Sequence, residues 1–173
     1  MAQYTPSEYA AYLTRIYTPR FPRENRPRAI NDVTERGEAV LEFILPHPED
    51  GRFSASLQAF PYRETVAYCS LRFGQVEVAR RLDPEKAVAA VEEVISDRIV
   101  AIVRYKNREA FENHRIAASG PAEWLYQLPD DEEELSKMME KLKKPATFLE
   151  KLSGSHTGIF EVYRWSGCEV LER

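Results

Sequence analysis

Cysteine, histidine and long apolar runs are all scarce in this chain, and each scarcity narrows what it can be. The two cysteines, Cys69 and Cys168, lie far apart and match no metal or redox spacing. Free thiols in a reducing compartment are the expectation, so a cytoplasmic location is expected too. The three histidines are His47, His114 and His156. No two have zinc-type spacing and no cysteine joins them, so no metal is expected. No apolar run is longer than residues 99–103, against the roughly 20 residues needed to span a bilayer. Residues 1–6 carry neither a basic nor an apolar leader region, so no secretory signal is expected. Dinucleotide fingerprints, a P-loop and the Gly-x-Ser-x-Gly elbow are missing, and no cofactor is expected.

What is present is an ordinary globular balance. The chain has 173 residues, 43% hydrophobic and 30% charged, which suits one α+β domain over residues 1–173. The formal charge of -4 argues against a dedicated nucleic-acid binder.

Residues 83–105 organise the rest. Asp83-Pro84 gives a helix an N-cap and a proline at its first position. Val88, Val91, Val94 and Ile95 form one stripe of a helix over residues 84–96. The strand that follows, near 98–105, is apolar on both faces and must be covered on both sides. Before it, Thr5, Pro6 and Glu8 form a capping box for a helix over residues 5–17, with Tyr4 and Tyr9 as a hydrophobic staple. Residues 39–82 alternate in period two and predict a four-stranded antiparallel meander. In it, Phe53, Ala55, Leu57 and Ala59 point one way, and Arg52, Ser54, Ser56 and Gln58 the other. Ala67, Cys69, Leu71 and Phe73 share a face of the next strand, and Val76, Val78, Arg80 and Leu82 one face of the last.

In the C-terminal half, a strand is expected near 113–118 and a short helix holding Trp124, Leu125 and Leu128. Helices follow near 131–144 and 145–152, then strands near 157–165 and 168–171. The meander is expected to be extended by the buried strand and the C-terminal strands, with helices mainly on one face.

Two surface segments are strongly charged. Residues 18–28 mix prolines with Arg20, Arg23, Arg26 and Arg28 and predict an extended arm. Guanidinium groups bind carboxylate or phosphate through paired hydrogen bonds, which suits a partner-gripping arm. A solvated linker paired with the protein's own acids is the alternative. Asp130, Asp131 and Glu132 open a run of acids at a helix N-terminus, where the helix dipole favours them; they could also meet a basic partner.

Candidate chemistry is thin. Glu112 and His114 would project from one face of an extended strand as a base and its orienter, but exposed sheet faces often carry such pairs. His47, between two prolines, reads as a surface-loop residue, and His156 as part of a helix-to-strand connection. The function expected is therefore non-enzymatic binding of another protein in the cytoplasm. Bacterial immunity proteins, which inhibit a toxin stoichiometrically, are one example of that class. A second reading is an enzyme or small-ligand binder with a site near His114, Glu112, Arg104 and the tyrosines. A third is a nucleic-acid-associated protein using the arginine arm.

Overall fold

The computed structural model describes residues 3–33, 39–48, 51–114, 123–147, 150–151 and 157–173. The chain divides into two units, Met1–Glu93 and Val94–Arg173.

The first unit begins with α1 (Pro6–Tyr17). Thr5 caps it as expected: its N–H donates to Glu8 at 2.8 Å and its hydroxyl accepts from the Glu8 N–H at 3.3 Å. Such a cap is worth about 1 kcal/mol. Tyr9, Leu13 and Tyr17, each four residues from the next, are fully buried. They face an antiparallel sheet of β1 (Arg28–Val33), β2 (Ala39–Leu45), β3 (Ala55–Tyr62), β4 (Thr65–Phe73) and β5 (Val76–Leu82), in that order. The inner face carries Phe43, Leu45, Leu57, Cys69, Leu71 and Phe73, all essentially without exposure. Burying each large side chain contributes about 1.5–3 kcal/mol. Tyr17 meets Phe43 with ring centroids 6.1 Å apart, and the Tyr9 hydroxyl donates to the Pro84 carbonyl at 2.8 Å. That bond ties α1 to α2 (Pro84–Ile95).

Two details depart from simple alternation. Phe60 pairs with Tyr68 and Pro61 with Val66, so Ala67 has no residue opposite. Ala67 is exposed and Val66 is buried, the reverse of the expected facing. A proline offers no N–H to the ladder, so pairing is interrupted where Pro61 enters the strand, and a bulge results. In β5, register shifts and a positive φ of 50° at Arg81 break the expected single face, and only Val76 is buried.

In the second unit, β6 (Ile99–Tyr105) is buried along its whole length. It lies between β7 (Glu123–Gln127) and β8 (Ile159–Arg164), with β9 (Gly167–Glu172) beyond, all antiparallel. Both of its edges are thus used, and it does not extend the meander; the described strands form two separate sheets. On one face, Val100, Ile102, Phe160 and Val162 pack with Leu135, Met138 and Leu142 of α4 (Glu132–Lys143). The i,i+4 pairs on that helix, Glu133–Lys137 and Glu140–Lys144, are each formed at 2.5 Å. Among the described residues no helix is long and apolar enough to cross a membrane.

Three expectations need correction or limits here. The segment around Trp124 is the strand β7, not a helix. Trp124, Tyr126 and Leu128 contribute to the α4 core with a period of two, and backbone pairing to β6 decides the outcome. The strand near 113–118 is not found where it can be seen: Arg108–Glu112 forms a short helix, α3, capped by Asn107, and residues 113–114 are a turn. Residues 115–118 lie outside the described residues. Of the helix expected near 145–152, residues 145–147 are not helical, Glu150 and Lys151 are, and residues 148, 149 and 152 lie outside the described residues.

Candidate functional site

The arginine arm is brought to one end of the outer face of the five-stranded sheet. After α1, single 3-10 turns at Thr18–Arg20 and Arg23–Asn25 carry the chain to β1. Pro27 is buried, which fixes the arm, while Arg26 and Arg28 on either side of it are exposed. The Asn25 side chain donates to the His47 carbonyl at 3.0 Å, pinning the arm to the loop between β2 and β3. That loop is held in turn by the His47 N–H donating to the Ser54 hydroxyl at 3.2 Å. His47 is itself only 4% exposed and meets the ring of Phe53 edge-on at 6.0 Å. It is a packing residue beneath the loop, not a surface one, because Phe53 turns inward and draws the loop down.

This arrangement sets Arg52 beside the arm. Arg26, Arg28 and Arg52, with Glu24, Glu42 and Ser56, line an open hollow of about 500 Å³. Glu42 accepts a hydrogen bond from the Ser56 hydroxyl. Arg28, Ile44, Ser56 and Arg72 form one cross-strand row; Ile30, Glu42, Gln58 and Ser70 form the next. Neither Arg26 nor Arg28 forms an ion pair with any described residue. The hollow can receive a carboxylate or phosphate, and no imidazole or thiol of the described residues lines it.

A second hollow of about 390 Å³ lies at the opposite end of this face, lined by Ala39, Phe60, Pro61, Tyr62 and Tyr68. Phe60 and Tyr68 stack with centroids 4.8 Å apart and planes 15° apart. Tyr62 is 66% exposed and Tyr68 37%. A third hollow, of about 530 Å³, runs along α1 beside Tyr4, Glu8, Tyr12 and Arg15.

No family model, curated protein or solved structure matches the chain.

The other expected site residues are dispersed. Arg20 is bound to the scaffold: its guanidinium meets Glu92 of α2 at 2.6 Å and lies over the Tyr17 ring. The hydrogen bond it donates to Glu92 holds that guanidinium's pKa above its ordinary value. Arg23 is exposed and does not line the hollow. Asp130, Asp131 and Glu132 stand together at the start of α4, where Asp131 accepts from the Gln127 N–H at 2.7 Å. Glu112 ends α3, and His114 follows in a turn with φ of 52°; both are exposed. The extended strand that would align them is therefore absent, and neither lines any of the three hollows. Arg104 lies within β6 at 2% exposure, away from solvent, and burial lowers its pKa. Tyr105 is buried as well, donating to Glu161 at 2.6 Å. Among the described residues no group of three or more His, Cys, Asp or Glu is placed to hold a metal ion.

Sequence reasoning missed Arg52, Glu42 and the aromatic end. The signal for Arg52 was its place on the polar side of an alternating segment. Nothing local linked it to an arm more than twenty positions earlier in the chain.

Proposed function

We propose that the protein acts by binding another protein, without catalysing a reaction, and that acidic side chains of the partner enter the hollow lined by Arg26, Arg28 and Arg52. The observation that carries this is the exposed pair Arg26 and Arg28, neither ion-paired with a described residue, at the rim of an open hollow. Guanidinium groups present their donors in a fixed planar fork and recognise carboxylates through paired hydrogen bonds. The basic residues of this region also fit an interface. No lysine occurs before Lys86, whereas arginines recur throughout, and interfaces are enriched in arginine and depleted in lysine. Glu24 and Glu42 in the same lining oppose a polyphosphate backbone, which favours a protein over a nucleic acid. The free thiols Cys69 and Cys168 support a reducing compartment such as the cytoplasm. Stoichiometric inhibition of a toxin, in the manner of an immunity protein, is one form this activity would take.

The test is affinity capture from the source cells, with mass spectrometry of what is retained. The wild type retains a protein at fixed stoichiometry, and R26E/R28E loses it. Retention of no protein, or equal retention by both, contradicts the proposal.

A further inference from the structure

The two ends of the outer sheet face differ in chemistry and share one surface. We infer that the segment this face recognises is bipartite and extended: an acidic side chain seated among Arg26, Arg28 and Arg52, and a bulky apolar side chain seated against Phe60, Tyr62 and Tyr68. This rests on the arginine hollow being the partner-binding site.

The spacing follows from β3, which runs beneath both ends. Ser56 lines the arginine hollow and Phe60 the aromatic one. Four residues of strand separate them, about 13 Å. In an extended partner segment, side chains roughly four positions apart span the same distance and point to the same side. Between the two ends, Glu42, Gln58 and Ser70 are only partly buried and offer hydrogen-bonding groups, with the exposed Ile30 beside Glu42 at the β1 end of the same row.

The aromatic end has the features of an anchor site. The stacked Phe60 and Tyr68 rings make a flat apolar base, and Tyr62 stands beside it with Arg63 over its ring at 5.4 Å. Rigid aromatic groups of this kind carry much of the energy at protein interfaces. Neither α1 nor α2 competes for the position: α1 is engaged with the inner face through Tyr17 against Phe43, and α2 is bound to α1 through the Tyr9 and Tyr17 hydroxyls. Charge sets the polarity of the recognised segment, with its acid towards Arg28 and its apolar residue towards Tyr68.

The probe is a set of short fluorescent peptides rich in Thr and Ser. One carries Glu and Leu four positions apart, one carries them three apart, and one has Lys in place of Glu. Fluorescence anisotropy with the full chain is expected to favour the four-apart peptide by about tenfold over either other. R26E/R28E and Tyr62→Ser/Tyr68→Ser should each remove that preference, about 1.4 kcal/mol by the standard conversion. Tyr62→Ser alone, at the more exposed ring, serves if the double variant does not fold. Peptide binding that responds to the arginines but not to spacing or the tyrosines overturns the bipartite inference and leaves the arginine site standing. Binding that ignores the arginine variant counts against both. The inference is also overturned if no peptide binds, if oligothymidylate binds more tightly than every peptide, or if the same variants abolish self-association seen by sedimentation.

Discussion

Tyr9→Phe should destabilise the protein, and the geometry gives the amount. The hydroxyl is buried and donates to the Pro84 carbonyl at 2.8 Å, linking α1 to the start of α2. The Cys69 thiol lies 3.7 Å from the same oxygen, a weak sulfur contact. Burial drives the phenol's pKa far above its ordinary value of 10, so the group stays a neutral donor at any ordinary pH. Losing one neutral hydrogen bond costs about 0.5–1.5 kcal/mol. The ring itself is retained, so no large cavity term arises; the Pro84 carbonyl keeps its place as an acceptor in the first turn of α2, and the thiol's lost contact adds only a little. A total of about 1–2 kcal/mol is expected, or about 2–8 °C in Tm for a chain of this size. Urea and thermal unfolding followed by circular dichroism measure it. Tyr12→Phe is the control: it sits one turn away, only partly buried, with no hydrogen bond from its hydroxyl, and should shift stability by less than about 0.5 kcal/mol. Equal effects of the two substitutions would refute the claim that the Tyr9 hydroxyl fastens α1 to α2.

Other consequences can be checked directly. Burial pushes the Cys69 thiol up to about 11 while Cys168 is exposed, so the native protein should react with a thiol reagent at pH 8 at Cys168 only; rapid labelling of both contradicts the packing around Tyr9. Gly158 has φ of +120°, and a Cβ there would lie 2.2 Å from the Tyr105 carbonyl oxygen, so Gly158→Ala should cost more than about 2 kcal/mol. Gly51→Ala, with open space around it, should be close to neutral, and the two are compared by urea unfolding. The Glu150 carboxylate is held at about 2, below its ordinary 4.5, first by the Thr147 N–H and hydroxyl and then by Arg173. A lowered folded-state pKa means its contribution is full above about pH 4.5 and is lost as pH falls towards 2. Acid unfolding of Glu150→Gln should accordingly show less pH dependence than the wild type across that window, and identical curves would count against the contact.

Some elements were legible because the cause of each is local. The capping box at Thr5, the i,i+4 pairs of α4 and the doubly apolar run of β6 each carry their own signal, and the structure has all three. β7 was misread because a five-residue segment with Trp124, Leu125 and Leu128 fits a helical period as well as an extended one. Pairing with β6, far away in sequence, decides between them. Ala67 was placed on the wrong face because its bulge is caused by Pro61 on the neighbouring strand. The arginine hollow was half legible. Composition drew attention to Arg26 and Arg28, but Arg52 lines the same hollow, and the bonds that tie the arm to its loop, through Asn25, His47 and Ser54, are contacts that no spacing rule encodes. Phe60 and Tyr68 become an aromatic surface only once their register is known.

The central claim is that the outer face of the five-stranded sheet is where this protein meets its partner. Chemical-shift mapping on the ¹⁵N-labelled chain, titrated with the partner retained in affinity capture, tests it most directly. The shifts should concentrate at Arg26, Arg28, Glu42, Ser56, Phe60 and Tyr68. Shifts concentrated instead at Asp130, Asp131 and Glu132, or around Glu112 and His114, with the sheet face unmoved, would contradict it.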